Sequence, residues 1–456
     1  MSTLAEAKAG YVAAFERRVR PGAGSSATAG AKPAPKWLED ARREAIVAFD
    51  KVGFPGPKNE DWKYTGVTPI VSEPFYAALG EARPAYASSR VAALVGTLAI
   101  PAGEPALVFV NGSYAAAFSS VDATDVASGF TVRSLAADLS ATDSIAASRL
   151  GRKLDASAHG FLALNTAFAD DGAVVRISEG RVADKPLHLV YVGVATGKPA
   201  LAHLRSVIVA EPGSAATIVE HYVGEPGVYL TNTAIEIALA RSATLRHVKI
   251  QDEAETAYHV ARLEAEVAEQ ASLASHVVTI GGALSRSEIY VRLVGRNAEC
   301  RLDGLYALSG ERHADHHTVV DHVVAETKSF ENYKGVLDGS SRGVFTGRVM
   351  VRRDSQKVEA RQQNKNLLLS EGAVVETRPQ LEIYADDVQC SHGAAIGRLD
   401  ESALFYLRQR GLDMDAARGL LTWAFASEIL DRLPGEALRQ TVTERVRFVA
   451  LERAGK

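Results

Sequence analysis

The stretch SAATIVEHYV, Ser214 to Val223, recurs in outline as RSATLRHVKI (Arg241–Ile250), EQASLASHVV (Glu269–Val278) and RNAECRLDGL (Arg296–Leu305). Each copy has an alanine, then a small or polar residue, then an apolar one. The alanines are Ala216, Ala243, Ala271 and Ala298, at spacings of 27, 28 and 27 residues. A near-constant period of this length marks a solenoid, in which each coil buries its apolar face on the next. A sandwich would instead show turn signals every ~8 to 12 residues without long-period identity. The period favours a mainly β fold built as a right-handed parallel β-helix, with an ordinary sandwich as the alternative.

The texture around the repeat agrees. From about Pro105 the chain is made of short β-rich runs such as ALVFVNG, GAVVRIS, LHLVYVG, RSVIVAE, IEIALA, IYVRLVG, RGVFTGRVMV and QLEIYA, with turn residues between them. Before that point the signals are helical. Residues 1–20 contain a short amphipathic helix from residue 4, and residues 21–36 are Gly/Ala/Pro/Ser-rich and read as a linker. Residues 37–104 open with a helix that places Trp37, Ala41, Ala45 and Phe49 at helical spacing and stops at Gly53. A loop from Pro55 to Val67 follows, and its Trp62 and Tyr64 are expected to be anchored against the body. The β-helix is assigned to residues 105–397. Residues 398–456 read as three helices, the first two capped by Asp400 and Asp413 and the third running from about Glu436 to Leu451. Such a module can cover the end of a solenoid or offer a groove to a partner.

Composition excludes several classes of function. The chain has 456 residues, too many for one ordinary core, which fits a repeat architecture with appended modules. A formal net charge of −4 disfavours a nucleic-acid-binding surface over most of its length. No stretch reaches the ~18 uninterrupted apolar residues of a membrane span, and the N-terminus has no apolar core of a secretory signal. Two cysteines 90 residues apart are no disulfide framework, so a reduced, cytoplasmic protein is expected. No P-loop, H-E-x-x-H or paired C-x-x-C motif occurs, so neither nucleotide hydrolysis nor a self-contained zinc or iron–sulfur site is predicted.

Two groups of residues remain as chemical candidates. In ADDVQCSHGAAIG, Ala385–Gly397, Cys390 and His392 are two apart, and in a strand they share a face at about 6.6 Å along the backbone. Thiolate and imidazole together suit a soft or borderline metal, but a closed tetrahedral site takes about four protein ligands. The missing ligands would have to come from a second chain. The alternative is a partly buried strand end. The other group is RHADHHTVVDH, with His313, His316, His317 and His322 on a β-branched run. It would place His316 and His322 on one face and Asp315, His317 and Asp321 on the other, as metal ligands, as second-shell groups, or as a hydrogen-bonded ladder. His221, His247 and His276 recur near the repeat alanines as expected stacked positions, and Cys300 falls on the repeat's apolar position as a core residue.

Several segments resemble the SufB/SufD family of iron–sulfur cluster assembly proteins, and its SufD branch in particular. They are NEDWKYT (Asn59–Thr65), FLALNTAFADDGAVV (Phe161–Val175), HHTVVDH (His316–His322), YKGVLDGSSRGVFTGRVMV (Tyr333–Val351) and the long block from Asn366 to Gly411 that contains CSHG. The resemblance runs from about residue 37 to 433. It implies a parallel β-helix between helical ends, a heterodimer with SufB through the β-helices, and docking of the ABC-type ATPase SufC on the C-terminal helices. In SufC docking, Phe405, Tyr406, Leu407, Arg408 and Arg410 are the candidate contacts. It further implies a non-catalytic scaffold whose interface with SufB holds a transient iron–sulfur cluster. His392 inherits a ligand role there, with Cys390 as its neighbour. A flavin in the complex and self-association of the isolated chain are further expectations. Competing readings are a secreted-type β-helix polysaccharide lyase or hydrolase, and a stand-alone metal-binding protein using His313, His316, His317 and His322.

Overall fold

A computed structural model of the chain describes residues 3–20, 34–79, 86–121, 129–151, 159–195 and 197–451. Of the expected linker, residues 21–33 lie outside the described residues. Two long sheets form the body. One has ten strands and the other nine. From Ala173–Ile177 onward the chain alternates between them, so that each strand pairs in parallel with one two positions away in the chain. Ala106–Val110 with Ser113–Tyr114, and Phe130–Ser134 with Ala173–Ile177, pair antiparallel. This is a parallel β-solenoid, and every β-rich run quoted above falls in one of its strands. The hydrophobic core lies between the two sheets.

The repeat sets the coil, with one correction. Thr244 pairs with Ser272 and Ser272 with Glu299, so Ala243, Ala271 and Ala298 occupy equivalent rungs. The first copy is displaced. Ala215 pairs with Thr244 and Ala216 with Leu245, so Ser214 holds the alanine's rung. A shift of two residues preserves the inward and outward alternation, which is why the pattern alone cannot detect it. Just before each repeat strand stands a residue with positive φ: Ser242, Gln270, Asn297, Glu326 and Lys357. Isolated residues pay about 1–2 kcal/mol for this conformation. Here each corner is held by its neighbour, as in Ser242 N–H to Glu269 O and Gln270 N–H to Arg296 O (2.9 and 3.0 Å). Inside, Phe109, Tyr191 and Tyr222 stack on successive rungs at 5.4 and 4.7 Å between ring centroids.

Helices cover the outer faces. Leu4–Val19, capped by Thr3 and Glu6, packs with Lys36–Val52 and the short helix Thr68–Ser72 against the nine-stranded sheet. The helix Gly160–Phe168 interrupts the coils and is buried on almost all sides. Gly160 is required there, because a Cβ would meet the Gly53 carbonyl at 2.1 Å. Asn165 donates to the Leu204 and Asn232 carbonyls (2.8 and 2.9 Å), and Asn232 donates back to the Phe161 carbonyl (2.8 Å).

Of the two roles open to the C-terminal helices, Glu401–Gln409, Met414–Leu430 and Glu436–Leu451, covering the end of the solenoid is not the one they take. Ala426, Ile429, Leu430, Leu433, Val442 and Val446 pack instead on the flank of the ten-stranded sheet, against Val219, Val248, Val278, Leu305 and Val336. Arg432–Asp303, Lys334–Glu428 and Arg445–Asp252 ion pairs pin them there (2.5, 2.6 and 2.6 Å). The last coil is left open. Its strands, Val374–Ile383 and Val388–Gly397, contain no fully buried residue.

Candidate functional site

The open coil carries Cys390 and His392. Its final strand pairs with Val358–Leu368, placing Cys390 opposite Ala360 and His392 opposite Gln362. Ala360 is buried in a cluster with Val349, Val351 and Val358, and Gln362 is buried as well, so these are inward positions. The alternation therefore brings Cys390 and His392 to one face, as their spacing requires. With no coil above them, Cys390 is half-buried and His392 is exposed. Burial pushes the Cys390 thiol up, against the opposing effect of a backbone hydrogen bond at Ala360. The thiol is thus the resting form at neutral pH, and a metal or a cation must be supplied before it becomes a thiolate ligand. Beneath Cys390 the rung column continues through Ala360 and Ser329 to Cys300, which is fully buried in the core as its repeat position predicts.

Among the described residues no group of three or more His, Cys, Asp or Glu side chains is placed to hold a metal ion. The histidine-rich strand is split between two faces. His316 points into the solenoid, stacked on Tyr306 at 5.2 Å and near Tyr333 at 5.6 Å. His322, on the same inward face, bonds Thr327 and Ser329 hydroxyls (2.7 and 2.9 Å). Burial lowers both, to about 3 and about 4, so both imidazoles are neutral. His317 and His313 face outward, His317 toward Asp315 (3.3 Å) and His313 toward the Thr65 hydroxyl (3.0 Å). The recurrent histidines are not stacked either. His247 pairs with Ile218 and Ser275, while His221 pairs with Ile250. His247 lies one residue nearer its alanine than His276 does, which is enough to change faces, and His221 belongs to the displaced first copy, three register positions from His247.

On the first C-terminal helix, Leu404 is buried, whereas Phe405 and Tyr406 are 62% and 55% exposed. Leu407 is half-buried, and Arg408 and Arg410 are exposed. Arg410 donates to the Tyr406 hydroxyl (3.1 Å) with its guanidinium 5.1 Å from that ring. Beside this helix lies an apolar groove of about 360 Å³, lined by Leu412, Ala416, Leu420, Trp423 and Val446. Trp423 and Leu420 were not singled out from sequence. The signal was the density of Leu, Phe and Trp in that helix.

A larger polar cleft, about 620 Å³, separates the Asn59–Trp62 loop from the nine-stranded sheet. Trp62 is buried as expected, stacked on Phe161 at 5.4 Å and lying 3.9 Å from the Arg286 guanidinium. Arg286 also pairs with Glu288 (2.7 Å) and with Asp315, and Thr65 donates to Asp315 (2.5 Å). Burial opposes ionisation of Glu288 and Asp315, but Arg286 overrides it and holds both carboxyls well below the usual range.

Two family models match this chain. The SufBD core domain of the SUF iron–sulfur cluster assembly system spans residues 193–425, and the SufBD protein N-terminal region spans residues 26–189. The iron–sulfur cluster assembly protein SufD of Escherichia coli (strain K12) is 33% identical over 399 residues, covering 87% of this chain and 89% of that protein. An iron–sulfur cluster assembly SufBD family protein of Synechocystis is 30% identical over 413 residues, covering 88% and 89%. A chloroplastic protein of Arabidopsis thaliana, ABCI7, is 31% identical over 296 residues, covering 63% and 62%.

Proposed function

Because the chain belongs to the SufBD family, we propose that it is the SufD-type scaffold subunit of an iron–sulfur cluster assembly complex. It performs no bond chemistry of its own in this reading. It pairs with SufB through the open last coil and docks SufC through the C-terminal helices. The observation that carries this reading is the uncapped strand Val388–Gly397. An edge with unpaired backbone groups and exposed apolar side chains, Tyr384 and Ile396 at 63% and 51%, is ordinarily covered.

Cys390 and His392 stand on that edge, on one face, as two ligands of a site that a second chain completes. The cluster is cargo: incomplete ligation from each side lets it form on the complex and leave. Exposed Phe405 and Tyr406, with the Leu420–Trp423 groove, provide a surface for an ATPase partner. The ion pairs from Lys334 and Asp303 to the C-terminal helices tie that surface to the solenoid wall, so motion in the ATPase reaches the body through a short, stiff connection.

Anaerobic cluster reconstitution, read by visible absorbance, tests the proposal on the chain alone, on its complex with SufB and SufC, and on that complex with His392→Ala. The expected result is a cluster only in the complex, reduced by the substitution. A cluster held equally well by the isolated chain overturns it.

A further inference from the structure

Below His392 the interior of the solenoid is polar along one column of rungs. The register runs from His392 to Gln362 and from Gln362 to Glu331, at about 4.8 Å per rung. Both lower residues are almost fully buried. The Gln362 amide donates from Nε2 to Glu331 Oε1 (3.1 Å). Thr318, from the facing sheet, donates to the other oxygen, Glu331 Oε2 (2.5 Å). This fixes which way the amide points: its nitrogen faces the carboxylate, and its oxygen, Oε1, is buried with no hydrogen-bond partner in the chain. The amide has room because position 347 on the facing sheet is glycine, where a Cβ would lie 2.4 Å from Gln362 Nε2. A buried, unpartnered acceptor is costly to maintain unless it is used.

We propose that Gln362 and Glu331 are positioning residues for His392: when the exposed imidazole turns onto the rung below, the unpartnered Gln362 oxygen accepts its N–H, which fixes one tautomer and turns the other ring nitrogen, with its lone pair, toward the open end. This rests on the reading of His392 as a cluster ligand. Histidines that bind metals ordinarily donate their second nitrogen to a carboxylate or carbonyl, which sets the tautomer and the ring orientation. Here the carboxylate is one rung further away and acts through an amide. Oriented by Glu331, the amide can offer only an acceptor to the rung above, so the chain's polarity runs in one direction, from imidazole to amide to carboxylate. The inward strand face adds nothing else to His392, since its neighbours there are Cys390 and Ala394. The buried Gln362 amide and Glu331 carboxyl thereby acquire a role beyond filling the interior.

The test is long-range proton–nitrogen NMR of the full-length chain with labelled histidine at pH 8, with the His392 signals assigned from His392→Gln. Wild type is expected to show one dominant His392 tautomer. Gln362→Leu should shift the tautomer ratio by about fivefold, the effect of one net hydrogen bond, and Glu331→Gln should shift it in the same direction. Glu331→Gln keeps the side-chain volume and carries the test if Gln362→Leu disturbs the strand. An unbiased tautomer mixture in wild type, or an unchanged ratio in both variants, overturns the proposal. Reconstitution separates the two levels. If His392→Ala leaves the complex's cluster intact, the ligand reading fails. If His392→Ala removes the cluster while both buried variants leave the tautomer ratio untouched, the positioning role alone fails.

Discussion

The guanidinium of Arg286 lies 3.9 Å from the centroid of the Trp62 ring, fully buried, with Glu288 and Asp315 on its nitrogens. One residue of the solenoid wall thus fastens the N-terminal loop to the body. Arg286→Met removes the charge and leaves two buried carboxylates without it. The expected cost is about 3–5 kcal/mol, because breaking a buried pair from one side exposes the other to full desolvation. Chemical denaturation checks it. A loss below about 1 kcal/mol would show that Arg262, which also pairs with Glu288 (3.0 Å), takes over the compensation.

The same cluster sets an acid limit. Asp315 and Glu288 titrate in the folded chain well below the ~4 they have when unfolded. The unfolded state therefore binds more protons in acid. Stability is fully present above about pH 5 and is lost as pH falls through the unfolded value toward the folded one. Asp315→Asn should be less stable at neutral pH yet show a flatter fall in melting temperature between about pH 5 and 2. Parallel acid limbs for variant and wild type would remove Asp315 from this account.

Glu331 has the opposite sign. Burial pushes its carboxyl up to about 7, against hydrogen bonds from Thr318 and Gln362 that favour the charged form. The folded chain keeps a proton that the unfolded chain releases above ~4.3, so stability falls as pH rises from there to about 7. Glu331→Gln should remove this fall and gain up to ~3 kcal/mol relative to wild type at pH 8, and little at pH 4. Denaturation midpoints at the two pH values decide it. A variant–wild-type difference that does not grow with pH contradicts the assignment.

Much of this architecture is legible in the sequence, because a solenoid repeats the same physical problem every coil. Ala243, Ala271 and Ala298 announce the period, and the alternation in VQCSHG correctly brings Cys390 and His392 to one face. What sequence could not give is which surface meets which. The apolar stripe of Met414–Leu430 says that one helix face is buried, and it says nothing about whether the end or the flank of the solenoid buries it. Arg286 reads as a solvent-facing residue of LSRSEIYVRL, since nothing local reveals that Trp62, over two hundred positions earlier, closes over it. Gln362 and Glu331 read as ordinary polar strand residues for the same reason. Their role depends on rung neighbours about thirty residues apart.

The exposed part of the C-terminal module should tolerate charge without loss of stability. Phe405→Asp is expected to change folding stability by less than about 0.5 kcal/mol, since the side chain is already in solvent. Its affinity for SufC should fall about tenfold or more, as for an aromatic anchor at an interface centre. Trp423→Asp in the adjoining groove should lower the affinity as well, at a cost in stability that Phe405→Asp avoids, because Trp423 is half-buried against the core. Co-purification and titration calorimetry with SufC measure both. Unchanged affinity in both variants would move the docking site off these helices.

The open coil predicts how the chain behaves without a partner. Val374–Ile383 and Val388–Gly397 are the edge strands of the two sheets, each paired on one side only, and Ile383, Tyr384 and Ile396 are exposed beside them. Such an edge pairs with whatever strand it meets, and in the absence of SufB the most available one is the same edge of a second copy. The isolated chain is therefore expected to form a dimer through the last coil. Ile396→Lys places a charge on that edge, where a partner strand would have to bury it, and should return the chain to a monomer while leaving the body folded. The same substitution should weaken pairing with SufB, because the pairing proposed above uses the same edge. Light scattering on the isolated chain and co-purification with SufB read the two effects. Loss of the dimer with SufB pairing intact would show that the two contacts are separate and that the open coil is not the SufB face.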